Sequence, residues 1–242
     1  MMAARAQQLA SRIIGGVSRR ISGLEFDDLM AAGCGVIRTV DPSRQAVSLT
    51  FDDGPSAHST LRVLDVLEAN GASATFFLLG QNARRHPELV RTIAARGHEV
   101  GCHGDAHLDF HWAAPRRISN DLRRCKETLE DLTGTAVSSV RAPYGHFRWD
   151  VRPMAARLGL SRLVGWSVAP PWNEAAPARI ADYVLSRTET GSIVLLHDAT
   201  GFEATDVGGF SGAVAAALEP ILRALQQRGL SVARVDALTA GA

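Results

Sequence analysis

The stretch Ala46-Val47-Ser48-Leu49-Thr50-Phe51-Asp52-Asp53-Gly54-Pro55 decides the fold. Its first six residues have the branched and aromatic content of a β-strand. An acidic turn follows the strand, not the glycine-rich fingerprint of a dinucleotide-binding sheet, so a barrel is favoured over an open doubly wound sheet. Outward from this point, β-rich runs alternate with amphipathic segments, the pattern of a parallel sheet with crossover helices. Further strands are expected at Ser73–Leu79, His98–His103, Ser138–Ala142, Arg162–Val168, Ser192–Leu196 and Ser231–Val235. Helical spacing is found at Thr60–Ala69, Pro87–Ala95, Arg116–Leu132, Pro177–Arg187 and Gly212–Arg228. Asn70-Gly71, Arg96-Gly97 and Arg228-Gly229 supply stop signals, and Thr60 and Ser211 are candidate N-caps. Seven βα units in roughly 190 residues predict an α/β fold, a distorted or incomplete (β/α) barrel of about seven parallel strands. The barrel is expected over residues 41–242, preceded by a short helical extension over residues 1–40.

Composition narrows the partners. Of 242 residues, 46% are hydrophobic and 21% charged, which excludes a disordered chain. A net charge of +1 gives no field that would recruit nucleic acid. Cys34, Cys102 and Cys125 are too few and too scattered for a disulfide framework or a thiolate metal site, and read as buried thiols. Near the N-terminus, Arg5, Ser11, Arg12, Ser18, Arg19 and Arg20 interrupt any apolar run, so a secretory signal is not expected. A cytoplasmic location follows as the default, with weak peripheral contact at the inner membrane face if the extension forms an amphipathic helix.

Barrels of this class place their chemistry at the C-terminal ends of the strands. Asp52 and Asp53 end the first expected strand, His103 the third, Arg141 and Tyr144 the fourth, and His197 the sixth, while Trp172 lies in the loop after the fifth. Two adjacent carboxylates brought together on the Gly54-Pro55 turn imply a neighbouring cation, either a metal or an arginine. An Asp-Gly turn that merely ends a strand accounts for that motif equally well. His103 and His107 are four residues apart, and on a helical turn both rings would share one face. Alone the pair is a weak signal. With Asp53 it makes the two-imidazole, one-carboxylate set of a catalytic metal site with open positions.

These residues resemble those of the polysaccharide deacetylases, the family that includes chitooligosaccharide, chitin and peptidoglycan N-acetylglucosamine deacetylases. The resemblance runs from about Ala46 to Val235 and rests on Thr50–Pro55, Ala74–Phe77, Gly97–Gly101 leading into His103 and His107, Arg141–Gly145 and Leu195–Asp198. It implies that Asp52 is the general base and that Asp53, His103 and His107 hold a divalent metal, zinc first, with cobalt, nickel or iron as alternatives. By the same likeness Arg141 pairs with Asp52, the backbone N–H of Tyr144 stabilises an oxyanion, and His197 protonates the departing amine. Leu195 and Trp172 would line the pocket for the acyl methyl. The activity so implied is hydrolysis of an N-acetyl group on an amino sugar, an oligosaccharide or a lipid-linked sugar. Alternatives are a deacylase or deformylase for another amide, and a carbohydrate-binding protein with impaired catalysis.

Two departures from the family pattern bear on that expectation. Pro171 stands before Trp172 where the family carries an aspartate that tunes the catalytic histidine, and Asp198, Glu174 and Asp150 are candidate substitutes. Gly104 occupies a position commonly held by serine or threonine, which is expected to loosen the support of the metal ligands. The stretch 201–212, with Phe202, Glu203, Asp206 and Phe210, is either one wall of the cleft or a connector. His98 reads as a strand-start residue, His86 as the residue before a helix, and His58 as a further ligand candidate. Trp112 and His111 either line the groove or pack beneath it, and Phe76 and Phe77 belong to the core.

Overall fold

The computed structural model describes residues 33–171, 174–199 and 210–240. In chain order the elements are β1 (Ala46–Asp52), α1 (Thr60–Ala69), β2 (Thr75–Leu78), α2 (Gly80–Arg85), α3 (Pro87–Ala95), β3 (Glu99–Cys102), α4 (Pro115–Thr133), β4 (Ser139–Val140), α5 (Val151–Arg157), β5 (Arg162–Leu163), α6 (Pro177–Arg187), β6 (Ile193–His197), α7 (Phe210–Gln227), β7 (Ser231–Val232) and α8 (Val235–Thr239). The strands run β5-β4-β3-β2-β1-β6, all pairs parallel, with β7 also on β1. Between the outer strands β5 and β6, single bridges replace a ladder. Ile37 pairs with Val164, Thr39 with Ser192 and Val168 with Val194, so two thin segments span a gap that an eighth strand would fill. The result is the expected distorted barrel. Residues 37–39 thereby belong to its wall, whereas the first 32 residues of the expected extension lie outside the described residues.

Period-2 alternation sorts the side chains of each strand into two environments. On β1, Val47, Leu49 and Phe51 point outward into the main core beneath the helices, with Phe51 stacked on Phe76 at 5.0 Å. Burial of each such side chain contributes roughly 1.5–3 kcal/mol. Ala46, Phe77, Val164 and Ile193 instead share a smaller cluster with Val235 and Leu238 of α8. That inner face is polar at several levels. At the end where the strands begin, Glu99 accepts from Thr75 Oγ1 at 2.8 Å, Ser139 Oγ at 2.5 Å and the Asp236 N–H at 3.0 Å, so α8 closes that end of the barrel.

Three helices were not expected, and each has a local reason. α2 spans six residues, too few to show a period. α5 carries Pro153 in its first turn, where the missing N–H has no intrahelical partner to lose. β7 stops at Val232, and Val235, expected as its end, opens α8 with its N–H on Thr75 Oγ1. Thr60, expected as an N-cap, is instead the first helical residue after the N-cap Ser59, and its hydroxyl donates to Asp198 and accepts the Ser56 N–H. Gly71 and Gly97 adopt left-handed φ values of 60° and 80° where the helices stop.

His98, expected to start a strand, lies one residue before β3, and it carries a pH dependence. Its Nδ1 accepts the Ala74 N–H at 3.2 Å, and its ring meets Phe76 edge-on at 5.4 Å. Burial, then the charges of Arg96 and Arg234, push its pKa down to about 4. The folded protein therefore favours neutral His98. This contribution is fully present above the free value of about 6.5 and is lost as pH falls from there toward 4. Urea unfolding at pH 7 and pH 4.5 is expected to show a smaller loss of stability for His98→Gln than for wild type; equal losses would remove His98 as the cause.

Candidate metal and catalytic centre

The inner face of β1 carries Thr50 and Asp52, and the parallel register places them opposite Leu195 and His197 of β6. Residues in register on neighbouring strands point the same way, so Asp52 and His197 share the upper rim of the barrel interior. Leu195, 8% exposed, lies one step below His197 on that face. From β4, the fully buried Arg141 crosses the interior. Its Nη1 donates to Asp52 Oδ1 at 2.7 Å and to Thr50 Oγ1 at 2.7 Å, while Nη2 reaches the Gly165 carbonyl at 2.7 Å. Burial lowers the guanidinium pKa and the Asp52 carboxylate opposes that shift.

Asp53 turns away from the strand with a φ of 74°, and Asn82 Nδ2 holds its carbonyl at 2.8 Å. Behind the turn sits Asp198. A Cβ on Gly54 would lie 2.4 Å from both Asp198 carboxylate oxygens, so only glycine permits this approach. Burial, aided by the charges of Asp53 and Asp52 and opposed by the Thr60 hydrogen bond, raises Asp198 to about 7.

His103 and His107 complete the cluster, but not from a helical turn. Residues 103–107 form a loop in which Gly104 and His107 have φ values of 82° and 51°. Helix α4 begins only at Pro115, so the expected shared helical face is replaced by loop curvature. His107 Nε2 lies 3.2 Å and His103 Nε2 3.5 Å from Asp53 Oδ1, and Asp52 Oδ2 is 3.7 Å from His103 Nε2. Ligands about 2.0–2.1 Å from a tetrahedral ion are separated by roughly 3.3 Å, which these two spacings bracket. His103 Nδ1 faces the Arg141 carbonyl at 3.0 Å. A carbonyl only accepts, so Nδ1 carries the proton and Nε2 presents its lone pair to the cluster. Burial drives the His103 pKa down to about 3, keeping the ring in the neutral form a metal requires. The donor set fits a divalent ion.

Acidic residues that the sequence reading passed over shape this loop. Asp121 of α4 accepts from the N–H groups of Asp105 at 2.8 Å and Ala106 at 3.0 Å. Its Oδ2 would lie 2.5 Å from a Cβ at Gly104. Glycine there admits the carboxylate whose hydrogen bonds fix the loop. Asp105 in turn pairs with Arg84 at 2.7 Å and Arg124 at 3.4 Å.

Tyr144, with φ 60° and 59% exposure, stands over the cluster, its ring 4.5 Å from that of His107. Trp172 and most of the stretch 201–212 lie outside the described residues. Of the carboxylates considered as substitutes near Pro171, Asp150 pairs with Arg148, Glu174 with Arg179 at 2.8 Å, and Asp198 Oδ2 with Thr60 Oγ1 at 2.5 Å. His58 is exposed and stands apart from the three-residue cluster, and His86 is the N-cap of α3. Beyond Tyr144, Asp109, His111 and His146 form a second group that the sequence reading did not assemble. Burial opposes ionisation of Asp109, yet the hydrogen bond and charge of His146 leave its carboxyl below the ordinary value.

Comparison with known proteins identifies the family. The sequence profile of the polysaccharide deacetylase family matches residues 39–163. A chitooligosaccharide deacetylase of Sinorhizobium fredii is 36% identical over 203 residues, covering 81% of this chain and 94% of that protein. A peptidoglycan-N-acetylglucosamine deacetylase of Bacillus cereus is 33% identical, covering 77% of this chain and 66% of its own. Among solved structures, the Bc1960 peptidoglycan N-acetylglucosamine deacetylase aligns with a TM-score of 0.76 at 30% identity, over 83% of this chain and 91% of that one. A family 4 carbohydrate esterase from Streptomyces lividans, solved with acetate, aligns at 0.69 and 31% identity, over 77% and 91%. Sequence and fold together place the chain in the polysaccharide deacetylase family, whose deacetylases are hydrolases of amide bonds.

Proposed function

We propose that the chain is a metal-dependent N-deacetylase of amino-sugar substrates, with Asp53, His103 and His107 holding a divalent ion, zinc first. The observation that carries this reading is the meeting of those three ligand atoms within 4.8 Å of one another, with Asp52 beside them. The relatives are named for chitooligosaccharide and for peptidoglycan N-acetylglucosamine. Both present an N-acetylated amino sugar, so the substrate is that linkage in an oligosaccharide or a lipid-linked sugar.

Amide hydrolysis needs an activated water, a polarised carbonyl and a protonated leaving nitrogen. A divalent ion held by Asp53, His103 and His107 would supply Lewis acidity and would lower the pKa of a water at the site toward roughly 7. Asp52, oriented by Arg141 at 2.7 Å, takes the proton of the attacking water. His197, in register with Asp52 across the barrel rim, delivers a proton to the departing nitrogen. The backbone N–H of Tyr144 is the donor proposed for the developing oxyanion, and its exposed ring forms a wall for the sugar. Leu195 closes the floor where the acyl methyl packs, while Trp172, the other residue expected there, lies outside the described residues. Water adds to the carbonyl carbon, the C–N bond breaks, and acetate and a free amine leave.

Two measurements test the reading. With zinc-loaded protein and N-acetylglucosamine oligomers, Asp52→Asn is expected to lower kcat of acetate release by about 10²- to 10⁴-fold while the protein keeps its metal; a variant as fast as wild type would remove Asp52 as the base. Asp121→Ala is expected to weaken zinc binding by about 10- to 100-fold in a competition titration, because the loop bearing His103 and His107 loses its anchor. Unchanged affinity would show that the loop holds its shape without that carboxylate.

A further inference from the structure

We infer that Asp109, His111 and His146 form a second divalent-cation site, distinct from the centre built on Asp53. One ligand atom from each residue lies within 4.8 Å of the other two, and all three residues are half-buried. His146 Nδ1 is 2.8 Å from Asp109 Oδ1, close to the ligand-to-ligand edge of about 2.9–3.4 Å expected around an ion with bonds near 2.0–2.1 Å. The rings of His111 and His146 meet edge to face at 4.6 Å. His111 Nδ1 is buried and has no hydrogen-bond partner among the described residues. A ring nitrogen withdrawn from water without a partner is uncommon, and a cation is one way to satisfy it.

The site is built on a braced frame. Asp109 and His111 come from the loop after β3, and His146 from the loop after β4. Arg148 clamps the two loops by donating from Nη1 to the carbonyls of Phe110 and Ala113, each at 2.9 Å. Asp109 Oδ1 also accepts the His111 N–H at 2.9 Å, which fixes the carboxylate relative to the His111 backbone. The backbone thus brings the donors together before any ion arrives, so little ordering cost accompanies binding. Two imidazoles and one carboxylate are borderline donors and select zinc, cobalt or nickel over magnesium or calcium. Three protein ligands leave coordination positions open.

Tyr144 separates the two groups, its ring 4.5 Å from His107 and 5.8 Å from His146. A cation in the second group therefore stands behind the wall that flanks the first. It would stiffen that wall and offer its open positions to a hydroxyl or carboxylate of a bound glycan. The alternative occupant of this geometry is no ion at all, with Asp109 and His146 as a hydrogen-bonded pair.

Equilibrium dialysis of the full chain against micromolar zinc, followed by elemental analysis, decides between them. Wild type is expected to retain two ions per chain, and Asp53→Ala, His111→Ala and His146→Ala one each. The Asp53→Ala/His146→Ala double variant is expected to retain none. Because Asp53→Ala removes only the first centre, failure of the proposed deacetylase reading and failure of this site are separately visible. The proposal is overturned if His111→Ala and His146→Ala both keep the wild-type stoichiometry, or if folded Asp53→Ala holds no zinc. Should the histidine variants not fold, the ring-proton NMR signals of His111 and His146 in Asp53→Ala protein supply the readout. Shifts on adding one equivalent of zinc support the site, and unmoved signals overturn it.

Discussion

The centre depends on one fully buried guanidinium. Arg141 lies in the barrel interior with Phe77 packed against it at 4.3 Å, and it is held there by Asp52, Thr50 and the carbonyls of Val164 and Gly165. Removing the partner of a buried charge typically costs about 3–5 kcal/mol, so the pair constrains β1, β4 and the chain after β5 together. The same residue also orients His103, since its own carbonyl faces His103 Nδ1. The position of Asp52 and the tautomer of His103 are thus set by one side chain and its backbone. No movement of either is possible without disturbing the other.

Much of this was legible in the chain because the barrel writes itself in period-2 and helical patterns. Thr60–Ala69, Pro87–Ala95 and Pro177–Arg187 coincide with observed helices, since each has an apolar stripe together with a stop signal or a proline at its start. The strand-end rule also gathered Asp52, Asp53, His103 and Arg141, whose side chains meet as that rule requires. Less was readable where the backbone leaves regular structure. The spacing of His103 and His107 suggested a helix, yet the same two rings converge from a loop, because four residues can be bridged by left-handed backbone as well as by one helical turn. Asp121 escaped notice because it lies seventeen residues past Gly104 on a helix whose own period gives it no special status. Asp109 and His111 carried a local signal in their spacing, but His146 joins them only through the third dimension.

Carboxylates around the cluster are used in two ways. Asp52 and Asp53 face the site, whereas Asp105 and Asp121 fold the loop and are matched by arginines or backbone N–H groups. Asp198 sits between these roles, buried beneath the Asp53-Gly54 turn and raised to about 7. A site rich in acids stays compact because Asp52, Asp105, Asp121 and Asp198 each accept from a guanidinium, a hydroxyl or a backbone N–H.

The pairing of β1 carries a consequence for biosynthesis. Its hydrogen-bonded neighbours include β2 just downstream, but also β6 and β7, and the Thr50 hydroxyl reaches Val194 across 144 residues of sequence. As the chain leaves the ribosome, this entirely buried strand has one flank satisfied early and the other bare until almost everything else has been made. An uncovered strand edge invites pairing with other chains, and distant pairings form slowly. The newborn chain is thus most vulnerable to intermolecular association before β6 and β7 emerge to cover that edge.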